Sequence, residues 1–588
     1  MADNIVQAFV DVSHRYEQLP CAHFERDGSW DFLTWGEMRR KVLALSAALK
    51  RIGLKKGDAA VIYSKTRYEW AIADFAVMAI GGISVPAYHS FKLKKLSHII
   101  RDSGAKLIIA EDSELFEIAE SSVEFLGKTD STKILSIDPC GGCQNLEDIM
   151  MRPSDEDLNE IAKALESISA DDTATYVYTS GATGEIKGVV LTHGNLLAEI
   201  RSIEQIFDFK SDQIGLLWLP LAHVLGRMME VYQLVHGSQT AFANDINRLP
   251  KVYQEIQPHF VCGVPRMLEK IHARVDEYVS KRWVLLRWIF EWAFGVGREF
   301  SKLDRKHRSI PLLLRLKFFI ARILIFSRLQ KRLGGRLECF ICGGAKLKKD
   351  VASFFHSVGI SVLEGYGLTE TFAAITVNRK DDFRFGTVGK PIPGSEIRIS
   401  ADGEILVRGP TVFKEYLNSP DETRESFTRD GWFKTGDLGE YSRDGFLRIT
   451  GRRKEVIVTS GGKKIVPTMI EEALSASPYI EHVMVYGDER PYLTALITLN
   501  RSKLLAYLRK LGVHSDSESD LALSDDVRRV IWKHVEEVNA NLASFETIKK
   551  MEIIDSSFTI DGGELTPTLK FRRNFIALKY RRLIDSMY

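Results

Sequence analysis

The chain has 588 residues, 45% of them hydrophobic and 27% charged, with a formal net charge of +2. That length exceeds what one hydrophobic core supports, so at least two domains are expected. A charge so near zero gives no electrostatic footprint for nucleic acid, and no run of about 18 uncharged apolar residues is present to cross a bilayer as a helix.

The N-terminal stretch carries Asp3 and Asp11 and no long apolar run, which excludes a secretion signal there and sets the expectation of a reducing cytoplasm. Arg39 to Ile52 has helical spacing of Val42, Leu43, Leu45, Ala48 and Leu49 and stops at Gly53. Ala59 to Tyr63 and Lys106 to Ala110 are short apolar runs suited to buried parallel strands, with a buried helix expected between them over Glu69 to Ile80. This is the α/β layer pattern. Ala174 to Tyr178 reads as a further strand. It delivers the chain into Tyr178 to Gly188, YTSGATGEIKG.

That stretch holds three glycines (Gly181, Gly184, Gly188), three aliphatic hydroxyls (Thr179, Ser180, Thr183) and Lys187. Glycines let the backbone pass close to a bulky anion, hydroxyl and N–H groups donate to its oxygens, and lysine adds a charge of matching sign. A phosphate-gripping loop is predicted, although a plain turn between strands has the same composition. The P-loop spacing is not met, because Gly188 follows Lys187 where that motif needs Ser or Thr. Val189 to Leu191 continues as a strand, and Thr192 caps a helix from about His193. In LPLAHVLG, His223 sits among apolar residues, the usual setting of a core histidine.

Residues 281–336 change character. Trp283 to Phe294 and Pro311 to Phe326 are rich in Leu, Ile, Phe and Trp, and from Ser301 to Arg336 there are eleven Lys or Arg against one acidic residue, Asp304. Such a segment suits a helix lying in an anionic membrane surface, and equally a pair of amphipathic helices packed on the domain. Gly343-Gly344-Ala345 and Glu364 to Thr371, EGYGLTET, each follow apolar stretches. Phe385 to Tyr441 has short alternating runs, including Glu396 to Ile399 and Glu404 to Val407, and reads as a small β-rich subdomain. After Gly451 to Lys454 a new α/β pattern begins. It has a helix from about Pro467, strands at Val483 to Tyr486 and Leu493 to Leu499, and a long helix from about Asp525. A domain boundary is expected there, dividing 1–450 from 451–588.

The six cysteines include two CxxC pairs, Cys140/Cys143 and Cys339/Cys342. Paired CxxC elements can build a four-thiolate zinc site, but these lie far beyond the usual short spacing. A zinc site or a redox pair is the minor alternative, and the reading is of small buried hydrophobes.

YTSGATGEIKGV, EGYGLTET, GWFKTGDLGE, GRRKEVIV with SGGKKIVP, and GELTPTLK stand in the order of the adenylate-forming (AMP-binding) acyl-CoA synthetase family. The resemblance spans Leu33 to Arg573, and the LPLAHVLGR and FVCGVPRMLEKI segments look like its long-chain fatty-acid–CoA ligase branch. It implies a large N-terminal domain of two α/β subdomains plus a β-rich one, and a small mobile α/β C-terminal domain. It also implies two-step chemistry: a carboxylate attacks ATP to give acyl-adenylate and pyrophosphate, and coenzyme A then displaces AMP.

The resemblance further assigns roles. Thr179, Ser180, Gly181, Thr183, Gly184 and Lys187 resemble the β,γ-phosphate grip. Tyr366 would stack on adenine, with Gly344, Ala345 and Gly367 lining the pocket and Thr369 reaching the α-phosphate. Glu370 and Thr183 would hold magnesium, a hard cation suited to oxygen ligands. Asp437 would accept the ribose hydroxyls with Arg452 assisting. Lys570 resembles the catalytic lysine of adenylation, Lys454 the hinge, and Gly461 and Lys463 would lie near coenzyme A. His223 is carried over as lining the acyl or nucleotide pocket.

Three positions depart from the family pattern. Ala182 and Ile186 stand where a hydroxyl and a proline are usual, and Arg227 where some members carry an aromatic that gates the acyl tunnel. Fatty acid, ATP and coenzyme A are the implied partners, with peripheral membrane contact through 281–336 at the inner face of a membrane. The alternatives are a ligase for another carboxylic acid or a carrier-protein acceptor, and a non-catalytic lipid-binding scaffold. The retained set Lys187, Glu370, Asp437 and Lys570 argues against the scaffold.

Overall fold

The computed structural model describes residues 2–150, 152–180, 186–305, 308–510, 524–559, 562–565 and 571–588. They form two compact units, one of residues 1–398, 406–435 and 442–447, the other of 399–405, 436–441 and 448–588.

The larger unit is built on two sheets. One has seven strands in the order Glu415–Tyr416, Ile186–Thr192, Thr173–Ser180, Ile83–Ala87, Ala59–Tyr63, Leu107–Ala110 and Lys133–Ser136. Its 59–136 portion is parallel and its strands are joined through helices, such as Tyr68–Ala79, which is buried at every residue but Glu69. Apolar runs without alternation are what strands covered on both faces require. The other sheet has nine strands, with Phe260–Gly263, Cys339–Cys342 and Ser361–Tyr366 side by side and parallel.

Most expected elements form close to where periodicity places them. The helix expected over Arg39 to Ile52 begins earlier, at Trp35, because Thr34 and Glu37 make a reciprocal capping box. The small β-rich subdomain expected over 385–441 does not form as one body. Glu396–Ile399, Glu404–Arg408 and Phe433–Tyr441 join a four-stranded sheet, whereas Lys390–Pro391 pairs into the nine-stranded sheet and Glu415–Tyr416 into the seven-stranded one. Alternation marks a strand but does not name its partner.

The smaller unit packs Pro467–Leu474 and Asp525–Asn539 on a three-stranded sheet of Ile480–Tyr486, Leu493–Leu499 and Ile548–Ile554. The cysteine reading divides. Cys339 and Cys342 are buried strand residues, whereas Cys140 and Cys143 are half-exposed and face each other across a glycine turn, with their Cα atoms 5.6 Å apart. Gly142, at φ +84°, lets that turn close, so the second pair is not the buried hydrophobe expected of it.

Candidate active site

Thr173–Ser180 and Ile186–Thr192 form an antiparallel hairpin with Thr179 opposite Lys187 and Ser180 opposite Ile186. Ile186 therefore opens a strand as a ladder partner, a position where the family's proline would withhold its N–H. Gly181, Ala182, Thr183 and Gly184, between these strands, lie outside the described residues, as does the Ser180 side chain. Lys187 projects beside Glu422, with Nζ 2.5 Å from Oε1. It also stands 5.9 Å from the centre of the Tyr416 ring. Tyr416 reaches it by strand pairing, since Glu415–Tyr416 lies antiparallel to Ile186–Thr192 with Tyr416 opposite Val189.

Glu370 comes to the same tyrosine from the other sheet. The strand Ser361–Tyr366 ends in a tight reversal through the 3-10 turn Thr369–Thr371. A Cβ on Gly367 would fall 1.3 Å from the Ala373 carbonyl oxygen, so only glycine fits there. Phe372 and Ala373 hold positive φ angles of 50° and 104°, costly for side chains other than glycine and a common mark of functional turns. The Leu368 N–H donates to Thr371 Oγ1 at 3.0 Å and the Phe413 N–H to the Glu370 carbonyl at 2.7 Å, fixing the turn. Tyr416 Oη then donates to Glu370 Oε1 at 2.7 Å. Burial, and next the Glu370 charge, hold the phenol well above its ordinary pKa, so it remains a donor.

Tyr416 thus joins the lysine of the glycine-rich hairpin to the carboxylate of EGYGLTET. Neither Tyr416 nor Glu422 stands out in the sequence, since the glutamate that Tyr416 bonds is 46 positions away and only strand pairing brings the two together.

Gly344, at φ +82°, and Ala345 follow Cys339–Cys342 in an exposed loop. A Cβ on Gly343 would meet Leu225 at 3.4 Å, which places the start of the helix Val224–His236 against that loop. His223 caps this helix, its Nδ1 accepting from the Leu225 N–H at 3.2 Å. Arg227, where some family members carry the gating aromatic, points away from solvent on this helix. It is enclosed in the core, with Nη2 2.6 Å from Asp74 Oδ1, a further bond to Thr175 Oγ1, and its guanidinium 5.7 Å from the Trp70 ring.

In the smaller unit, buried Asp437 pairs with Arg452, Oδ1 to Nε, at 3.1 Å. Lys454 is exposed in the 3-10 turn Arg453–Glu455. Gly461 and Lys463 are exposed between the short strands Ile457–Val458 and Lys464–Ile465, with Lys463 Nζ 5.5 Å from the Phe545 ring. Lys570 lies outside the described residues. Of the residues singled out in the sequence, the structure therefore gathers Lys187 with Glu370 and, separately, Asp437 with Arg452.

Among solved structures, an ATP-bound chimera of RpMatB and BxBclM resembles the fold with a TM-score of 0.70 at 23% identity, covering 99% of this chain and 100% of the other. The O-succinylbenzoate coenzyme A synthetase MenE of Bacillus subtilis, in complex with AMP, gives 0.69 at 20% identity, covering 96% and 97%. The long-chain-fatty-acid–CoA ligase FadD15 of Mycobacterium bovis is 36% identical, over 96% of this chain and 93% of its own. The long-chain-fatty-acid–CoA ligase ACSBG2 of Gallus gallus is 30% identical, over 99% and 81%. The AMP-binding enzyme family matches residues 9–417 and the AMP-binding enzyme C-terminal domain matches 454–588. The chain belongs to the AMP-binding enzyme family, that of the adenylate-forming acyl-CoA synthetases, as an AMP-forming acid–thiol ligase.

Proposed function

We propose that the protein is a long-chain fatty-acid–CoA ligase, with residues 1–450 binding nucleotide and acyl chain and 451–588 acting as a mobile domain. The observation that carries this reading is the approach of Lys187 and Glu370 to one side chain, Tyr416, since a nucleotide triphosphate with its magnesium calls for a cation and a carboxylate in one neighbourhood. The long-chain specificity is supported by the names of the relatives at 36% and 30% identity.

A fatty carboxylate oxygen attacks the α-phosphorus of ATP, the bond to pyrophosphate breaks, and acyl-adenylate forms. The coenzyme A sulfur, having lost its proton, then attacks the acyl carbon and AMP leaves. On ATP entry Lys187 exchanges Glu422 for β,γ-phosphate oxygens and neutralises the leaving pyrophosphate. Thr179 and Ser180, with Gly181, Thr183 and Gly184, complete that grip. Tyr366 stacks on adenine beside Gly344, Ala345 and Gly367, Thr369 meets the α-phosphate, and Asp437 with Arg452 holds the ribose. Lys570 supplies the cation between carboxylate and phosphate. Lys454 is the pivot that brings Gly461 and Lys463 to coenzyme A for the second step. His223 lines the pocket.

Glu370 and Thr183 would hold magnesium. No group of three or more His, Cys, Asp or Glu forms a metal cage among the described residues, and one carboxylate completed by substrate phosphates is how this ion is commonly bound. When bound, it neutralises phosphate charge. No helix among the described residues is long and apolar enough to cross a membrane. We place the enzyme in the cytoplasm, attached peripherally at the inner face of a membrane, and the basic, apolar composition of 281–336 supports the attachment.

Pyrophosphate release over a panel of acids, with ATP, magnesium and coenzyme A, tests the reading. Release should peak on long-chain fatty acids with coenzyme A as sole acceptor, and Lys570→Ala should abolish adenylate formation. A peak on aryl or short acids, or transfer only to a carrier protein, would replace the reading. Wild-type adenylation by the variant would remove the lysine from it.

A further inference from the structure

The helices Val284–Asp304 and Leu312–Ala321 form an antiparallel pair, with Phe300 stacked on Phe318 at 4.1 Å and Phe294 beside Phe326 at 5.8 Å. Their inner faces are seated firmly. Ala293, Val296, Leu314 and Ala321 are buried in the second core of the larger unit. A Cβ on Gly297 would lie 2.5 Å from the Ser357 carbonyl oxygen, so the first helix rests directly on the backbone of its neighbour.

The outer faces are the reverse of a solvated surface. Of the 25 large hydrophobic side chains exposed among the described residues, 13 lie between Trp283 and Leu324, so the exposure is a patch and not scatter. Trp283 is 85% exposed, Trp288 70%, Leu312 83% and Leu313 64%. Between them stand exposed Arg298, Arg315, Lys317, Arg322 and Arg328. The stretch 308–336 has eight Lys or Arg and no Asp or Glu.

We propose that this outer face is the docking surface for an anionic lipid bilayer, with the helix pair lying in the plane of the interface. The proposal names the lipid partner of the peripheral attachment proposed above. Tryptophan is the side chain most at home at the boundary of headgroups and acyl chains, and Lys and Arg beside it meet anionic headgroups. A basic amphipathic face binds by both terms at once. A second copy of the chain is a poor occupant, because a two-fold contact would set the 308–336 cations against themselves. A fatty acid dissolved in the bilayer would then be presented where the enzyme is bound.

Flotation of the full-length protein with vesicles of phosphatidylcholine, with and without phosphatidylglycerol, tests this. Binding should require phosphatidylglycerol and weaken as salt is raised. The variant Arg315→Glu, Lys317→Glu, Arg322→Glu should lose at least about a hundredfold in partitioning. Trp283→Ser, Trp288→Ser, Leu313→Ser should lose it by the apolar route. Both should keep pyrophosphate release on detergent-dispersed fatty acid, and this separates docking from chemistry, since a protein that floats but ligates nothing fails only the functional reading. Unchanged flotation of the charge-reversed variant, equal binding to neutral vesicles, or a dimer that these substitutions dissolve without any vesicle binding would each overturn the proposal.

Discussion

One hairpin of the larger unit is gripped by two ion pairs of opposite character. Towards its base, Arg227 bonds Thr175 on the strand Thr173–Ser180 and pairs with Asp74, both side chains 0% exposed. Towards its tip, Lys187 pairs with Glu422, at 22% and 41% exposure. The contacts are of nearly equal length, 2.6 and 2.5 Å. What separates them is water. Around Arg227 burial dominates. It raises the pKa of Asp74 despite the facing guanidinium, and it raises that of Glu230, whose two carboxylate oxygens find no partner among the described residues. No ligand can replace a partner there. At Lys187 a half-exposed glutamate can be traded for a phosphate at small cost. A charge pair in the core fixes the hairpin, and a charge pair at the edge lends its lysine to chemistry.

Breaking the inner pair should produce the largest effect. Arg227→Met strands Asp74 beside Glu230 with no cation, and such a deletion destabilises by about 3–5 kcal/mol. Urea unfolding should show the loss, and Glu230→Gln in the same background should recover part of it by removing a buried acid. A loss below about 1 kcal/mol would mean that the cluster is hydrated, and the contrast with the edge would fail.

Breaking the outer pair should reverse the pattern. Lys187→Met is expected to leave stability within about 0.5 kcal/mol of the parent, because it removes a half-exposed contact. It should lower the rate of ATP-dependent pyrophosphate release by about a hundredfold to a thousandfold, the usual consequence of deleting a group aimed at developing charge. A variant that melted early and kept its rate would place Lys187 with Arg227 among the structural residues.

How far the sequence reveals these two sites follows from the range of the forces that build them. Ala59–Tyr63 and Leu493–Leu499 fall where their apolar runs end, since a strand covered on both faces is written into consecutive residues. Lys187, Glu370 and Asp437 were legible for another reason, as each sits in a glycine-bearing motif whose backbone demands are local. Gly367 shows the demand, because the Ala373 carbonyl occupies the space of its side chain. Tyr416 and Glu422 were not legible. A two-residue strand and a seven-residue helix carry them, and only pairing with Ile186–Thr192 gives them meaning. Arg227 was half legible, since the sequence shows an arginine where an aromatic is usual but not its partner Asp74, 153 positions away across the core.

The finest distinction is whether Glu422 competes with the nucleotide or holds Lys187 for it. Competition is the expectation. The glutamate is the more exposed partner, and its attraction must be given up when phosphate arrives. Glu422→Gln keeps the shape and removes the charge. A half-exposed pair contributes at most about 1 kcal/mol, so ATP should bind up to about fivefold more tightly, with kcat unchanged and the melting temperature little moved. Raising the salt should shrink the difference between variant and parent, because screening already weakens the pair in the parent. A higher KM for ATP in Glu422→Gln would reverse the assignment. Glu422 would then be a positioning residue, and the edge pair would share with the core pair the task of fixing a side chain in place.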